Sequence, residues 1–212
     1  MANDKLDLKL LATRTRDIYE RNAVRFDAER SKRLNEKPWL DRFAALLPAG
    51  AAILDAGCGA GDPIAAYFTG KGFRVTGIDQ ARAMIALARA RYPDGEWLLA
   101  DMRDLELDRR FDGIIGWNSF FHLTQDEQRT TLARMAAHLK PGGALMLTVG
   151  PDSGEVAGHV GVDDVYHSSL SPRQYQDILE KFQLRIVDFV KEDPDCALQT
   201  VLLAQKHAAN DQ

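Results

Sequence analysis

The sequence predicts an α/β fold, a mostly parallel sheet with helices on both faces, from three observations. Short apolar runs alternate with helical stretches from Ala51 onward, which is what successive βα units produce. The runs are continuously rather than alternately apolar, as strands covered on both faces must be. A turn with three alternating glycines, Gly57, Gly59 and Gly61, joins the first run to the next helix, where such sheets present a ligand site.

The elements follow in order. The first forty-odd residues read as helix, with Tyr19, Ala23, Phe26 and Arg30 on one face, and a second short helix follows Pro38 through Trp39, Leu40, Phe43 and Leu47. Pro48-Ala49-Gly50 closes this segment. The strand-like runs are Ala51–Leu54, Phe73–Ile78, Trp97–Ala100, Gly113–Trp117, Ala144–Val149, Leu184–Val190 and Leu198–Leu203. Helices are expected at Pro63–Thr69, Ala81–Arg91, Asp126–Leu139 and Pro172–Lys181. The last two runs are joined only by the turn at Asp193-Pro194-Asp195, so they form an antiparallel pair at one edge. Residues 150–170 form a polar, glycine-containing insertion, longer than an ordinary connection and therefore suspected of function. The division expected is a helical cap over 1–48 and a core over 49–207, one structural domain overall.

Composition narrows the classes. The chain has 212 residues, 45% apolar and 27% charged, with net charge -4, which argues against a broad nucleic-acid-binding surface. The basic stretch from Lys9 to Lys37 interleaves Asp17, Glu20, Asp27, Glu29 and Glu36, the pattern of a solvated helix laced with ion pairs. Cys58 and Cys196 are the only cysteines, so neither a thiolate zinc site nor a disulfide framework is expected. No metal site is expected, since His and acidic residues are not clustered at ligand spacings. The start, MANDKLDLKL, lacks a signal-peptide core, and no apolar run is long enough for a membrane. The expected compartment is the cytoplasm, and the expected assembly a monomer or homodimer.

The glycine turn reads Asp55-Ala56-Gly57-Cys58-Gly59-Ala60-Gly61-Asp62-Pro63. Glycines suit a backbone that bends tightly and lets a ligand approach. Dinucleotide enzymes share this device, but the third glycine of their spacing is Asp62 here. Asp62-Pro63 reads as an acidic N-cap before a proline-started helix, a poor seat for a pyrophosphate. Asp55 suits a ligand carrying an ammonium or sulfonium. Asp79, about twenty residues beyond the glycines, is placed to accept both hydroxyls of a ribose, with Gln80 beside it. Asp101 and Met102, after the third run, suit the amino group and a ring nitrogen of adenine, and Met84 with Ile85 one face of the base.

With those residues in view, the chain resembles the class I S-adenosylmethionine-dependent methyltransferase family, and within it a small bacterial, type 11/25-like subgroup. The resemblance rests on Asp55–Gly61, Asp79, Asp101-Met102, the Phe111–Ile115 strand and the Leu139-Lys140-Pro141-Gly142-Gly143 turn, in family order. It implies a Rossmann-like three-layer sandwich with a seven-stranded, mostly parallel sheet and an antiparallel last strand, plus the amino-terminal helical cap. It also implies S-adenosyl-L-methionine as cofactor and S-adenosyl-L-homocysteine as product. The Asn/Asp-Pro-Pro-Tyr motif of nucleobase amine methylation is absent; Gly116-Trp117-Asn118-Ser119-Phe120-Phe121-His122-Leu123 stands there. An Asp is implied by the resemblance where Asn118 stands, which puts base catalysis from that position in doubt.

Methyl transfer from a sulfonium is an in-line displacement, so the protein must align the acceptor and exclude water. His122 is the candidate base after the fourth strand, and His167, in the insertion, the second. Tyr19, Asn118, Phe121 and Tyr166 are candidate contacts to a small-molecule acceptor, and Trp117 to the methionine moiety. Tyr19 and Phe26 are expected to form a lid; Arg14 or Arg30 could meet the methionine carboxylate. His138 in the last turn of its helix needs only a dipole interaction. The expected function is methylation of an O, N or S acceptor. Competing readings are a non-catalytic S-adenosylmethionine-binding or regulatory protein, an RNA methyltransferase using the basic cap, and an NAD-dependent oxidoreductase.

Overall fold

The computed structural model describes residues 7–208; residues 1–6, part of the expected cap and of the segment read for a signal, lie outside the described residues. Three helices lead, α1 Leu8–Ala12, α2 Thr15–Glu29 and α3 Lys37–Ala45. Then come β1 Ala52–Ala56, α4 Ile64–Gly70, β2 Arg74–Asp79, α5 Arg82–Arg91, β3 Glu96–Leu99, β4 Phe111–Gly116, α6 Gln125–His138 and β5 Leu139–Val149. The chain finishes with β6 Gly154–Val160, β7 Asp163–Ser169, α7 Pro172–Lys181, β8 Leu184–Asp193 and β9 Gln199–Lys206.

Seven strands form one sheet in the order β3-β2-β1-β4-β5-β9-β8, and β9 runs antiparallel to both its neighbours. Both faces are covered, as the unbroken apolar runs require. Ile53 and Leu54 are neighbours on β1 yet enter different cores: Ile53 packs with Trp39, Phe43 and Phe68 of α3 and α4, Leu54 with Leu132, Met135 and Leu179 of α6 and α7. Ile114 and Ile115 on β4 divide in the same way. The helices start where local chemistry dictates. Thr124 and Glu127 make a capping box for α6, and Ser171 and Gln174 make one for α7, with Pro172 in its first turn.

Four expectations give way. The 150–170 insertion is a two-stranded hairpin, β6 paired antiparallel with β7 from Gly154↔Ser169 to Val160↔Asp163; its few apolar residues and polar face disguised the strands. Leu139–Gly143, read as a turn, is the irregular start of β5, with a register shift opposite Phe111–Gly113. Apart from Arg16 and Asp17 at 3.2 Å, the ion pairs of α2 reach other elements. Arg21 reaches Asp163 at 2.6 Å, Asp27 pairs with Arg91, and Lys32 lies 3.4 Å from Asp62. These pairs tie α2 and the loop after it to the hairpin, to α5 and to the glycine turn. His138 is held by hydrogen bonds beyond any dipole interaction: its Nε2 accepts from the Leu107 amide at 3.0 Å while Nδ1 faces the Arg134 carbonyl at 2.8 Å.

Candidate active site

The carboxyl ends of β1 to β4 open into a cavity roofed by α2 and the α1–α2 junction. β1 delivers Asp55 and the glycine turn. Gly57 and Gly59 line the cavity with φ of +82° and +54°, values that favour glycine. A Cβ on Gly59 would meet only Met84 Sδ at 4.0 Å, so a side chain there would project into free space. Gly61 is different. It has φ +82°, does not line the cavity, and its Cβ would strike Trp97 Cη2 at 2.7 Å. Its absent side chain makes room for a core indole rather than for a ligand.

Asp62 is not an N-cap. α4 begins after Pro63 with no side-chain cap, and the Asp62 carboxylate accepts from Tyr92 Oη at 2.9 Å beside Lys32 and Arg91. Three tertiary donors outbid the local amides. Pyrophosphate is still disfavoured, because this acid stands at the turn.

Asp79, at the tip of β2, accepts from the Gly59 amide at Oδ2 (3.0 Å) and from the Ala81 amide at Oδ1 (2.8 Å). It therefore shapes the glycine turn, and each oxygen keeps a lone pair for a ligand hydroxyl. Burial, opposed by those two amides, pushes its carboxyl up to about 6. Asp55 is buried with Oδ2 unpartnered among the described residues. Burial, then the Asp79 charge, pushes its carboxyl up to about 7, against the pull of Arg30. A buried and a half-buried carboxylate without an ion pair of their own call for a cationic or strongly donating ligand. Gln80 Oε1 is likewise buried and unpartnered.

Met84, Asp101 and Met102 line the same cavity, and Ile85 does not: it packs with Trp97 and Cys58. Burial opposes ionisation of Asp101, but Arg103, bonded at 2.6 Å, holds its carboxyl below the usual range. Trp117, Asn118 and Ser119 follow β4 on the cavity wall, and Ser119 Oγ donates to the Ala56 carbonyl at 2.6 Å, locking this turn to the glycine turn.

His122 lines the cavity beside Tyr19. Its Nε2 lies 2.9 Å from Tyr19 Oη and its Nδ1 2.9 Å from the Tyr166 carbonyl. A carbonyl only accepts, so Nδ1 carries the proton and Nε2 accepts from the tyrosine. Burial drives the imidazole down to about 4, against the Tyr166 bond, and burial raises the Tyr19 phenol. Both groups are neutral. His167 does not line the cavity. It packs at an angle behind His122 and Phe121, with ring centres 4.9 and 4.5 Å away. Phe121 also lies outside the wall. Tyr166 turns its hydroxyl to Glu155 at 2.5 Å and faces a neighbouring pocket; only its carbonyl serves His122. The hairpin accounts for the two that it carries: pairing Val156 with His167 and Ala157 with Tyr166 fixes their faces by strand alternation.

Of the expected cations, Arg30 lines the cavity, bonded to Glu36 at 3.1 Å, and Arg14 does not. Arg16, Thr15 and Asp27 line it unforeseen. Thr15, Tyr19, Phe26 and Arg30 recur at helical spacing, so extending that face one residue would have found them. Among the described residues no group of three His, Cys, Asp or Glu could hold a metal ion.

The comparisons agree with this geometry. A family model described as a methyltransferase domain matches residues 53–143. A dTDP-3-amino-3,4,6-trideoxy-alpha-D-glucopyranose N,N-dimethyltransferase of Streptomyces venezuelae is 32% identical over 109 residues, covering 50% of this chain and 46% of that protein. An O-methyltransferase of Penicillium expansum is 31% identical over 172 residues, 72% of this chain and 60% of that protein. The chain spans about half the length of the first curated relatives it matches. In structure it is similar to a Burkholderia thailandensis 1,6-didemethyltoxoflavin-N1-methyltransferase, with TM-score 0.73 and 22% identity over 98% of this chain and 93% of that one, a likeness of fold. Residues 53–143 thus match a methyltransferase domain, and the curated relatives that the chain resembles are named as N- and O-methyltransferases.

Proposed function

We propose that the protein is an enzyme that binds S-adenosylmethionine and methylates a small molecule at O, N or S. The observation that carries this is the pair Asp55 and Asp79, a buried and a half-buried carboxylate on adjacent strands facing one cavity. Asp55 suits the ammonium of the cofactor's methionine and Asp79 its ribose, with Gly57, Gly59 and Gln80 around them. Met84, Asp101 and Met102 suit the adenine, and Trp117 the methionine chain. When bound, the cofactor supplies an electrophilic methyl group. This chain's residues then hold the acceptor and exclude water beneath α2. Gly61 acts through the packing of Trp97, not by touching the ligand.

His122 is a weak base at neutral pH, because burial and the Tyr19 bond both favour its neutral form. Its part, with Tyr19, is to close the acceptor end and offer neutral hydrogen-bonding groups. Curated relatives named for amino-sugar N-methylation and for O-methylation support a small-molecule acceptor. In the same reading α1 and α2 act as the lid, whereas α3 packs into the sheet layer. Two free, buried cysteines suit the cytoplasm, and a monomer or homodimer is the assembly proposed.

Calorimetric titration with S-adenosylmethionine and S-adenosylhomocysteine, with NAD as control, tests this. Micromolar binding of both sulfur compounds, lost in Asp79→Ala and absent for NAD, is expected. Binding of NAD alone would overturn the reading.

A further inference from the structure

Strand order assigns the two ends of the cavity. Across β3-β2-β1-β4, Asp101, Asp79 and Asp55 succeed one another, and Asn118 stands after β4 at the far end. Register pairs Asp55 with Ile115, so Asn118 lies further out along the sheet edge. Its backbone sits in the left-handed region, φ 52°, and its amide donates to Thr148 Oγ1 at 2.7 Å on the neighbouring strand. Asparagine tolerates that conformation better than most residues. Asn118 lines the cavity, yet its Oδ1 is buried with no donor among the described residues. Such an oxygen gains from any N–H or O–H a ligand brings, and the soft terminal torsion lets it turn to meet one.

The surroundings decide between donors. Both nitrogens of His122 are engaged, one by Tyr19 and one by the Tyr166 carbonyl. The amide of Asn118 is too weak a base to remove a proton. A hydroxyl that keeps its proton is a poor nucleophile towards a sulfonium methyl. An amine can donate one N–H and still present a free lone pair.

Resting on the cofactor reading above, we propose that the acceptor is a neutral amine and that Asn118 is its catalytic contact, Oδ1 accepting one N–H. The nitrogen lone pair forms the new N–C bond, and the C–S bond breaks with its electrons passing to sulfur. The surplus proton leaves the methylated ammonium for water. No base is consumed, which fits a site whose His122 is already occupied.

The test uses sinefungin, in which an amine-bearing carbon replaces the methyl-bearing sulfur, against S-adenosylhomocysteine, by calorimetry. Asn118→Gly removes the side chain and tolerates the left-handed backbone; Asn118→Asp keeps the oxygen. The preference of the wild type for sinefungin should fall about tenfold in Asn118→Gly and persist in Asn118→Asp, with S-adenosylhomocysteine affinity unchanged in the Gly variant. An unchanged preference in Asn118→Gly overturns the proposal alone. Failure of the wild type to bind S-adenosylhomocysteine removes the cofactor reading, and this proposal with it. In turnover with methyl-labelled cofactor and matched amines and alcohols, label must enter the amines. Label in ethers, or in neither, overturns the amine assignment.

Discussion

The Tyr19 hydroxyl and His122 Nε2, 103 residues apart in sequence, meet at 2.9 Å across the mouth of the cavity. That bond joins the roof helix to the turn after β4, and it stabilises the neutral imidazole by occupying its lone pair. Tyr19→Phe removes the donor and little else. The imidazole of His122 should then titrate higher than about 4, which proton NMR of the ring resonances reads directly. A titration that does not move would mean that burial alone sets the value.

The two acids of the cavity make affinity depend on pH. Asp55 and Asp79 are raised to about 7 and 6, so at pH 5 they hold protons that a cationic ligand must displace. S-adenosylhomocysteine affinity should therefore rise between pH 5 and 8 and level off above. Calorimetry at several pH values checks this, and a flat profile would detach both acids from the ligand.

The same acids load the unliganded fold. A carboxyl raised when folded contributes stability below its unfolded value, near 4, and that stability is lost as pH rises through the folded value. Asp55→Asn should match the wild type near pH 4 and exceed it at pH 8, by up to about 4 kcal/mol, while losing ligand affinity. Urea unfolding at both pH values measures the difference.

Gly59 and Gly61 should separate binding from folding. Gly59→Ala meets open space, so it should fold with a cost of about 1 kcal/mol for its backbone and bind the cofactor poorly. Gly61→Ala collides with Trp97 and should lose about 2 kcal/mol or more. Thermal unfolding paired with calorimetry distinguishes them; equal effects on both would contradict the placement of Trp97.

His167 lies outside the cavity, so His167→Ala should leave S-adenosylhomocysteine affinity within about twofold. Its ring fills the space above Gly158, where a Cβ would come within 2.3 Å of Cε1. The variant should lose stability by about 1–3 kcal/mol, read from the unfolding midpoint. A large loss of affinity with the fold intact would restore it to the site.

The α/β fold, the carboxyl-end site and the acids Asp55, Asp79 and Asp101 were legible because each depends on local order along the chain. Apolar runs, helix caps and strand ends are encoded within a few residues, and in a parallel sheet every strand end falls on one edge. Contacts between distant segments were not legible. The sequence could nominate Tyr19, His122, Tyr166, His167 and Phe121, but the sorting of Tyr166 and His167 awaited the β6–β7 register, since one residue of slip exchanges the two faces of a strand. Asp62 shows the same limit: its local pattern is that of a cap, and only folding brings Tyr92, Lys32 and Arg91 to its carboxylate. The chain's local chemistry thus determined the sheet and the edge at which its cavity opens. The tertiary structure decided which side chains face the cavity, because hydrogen-bond competition and packing are settled only between residues far apart in sequence.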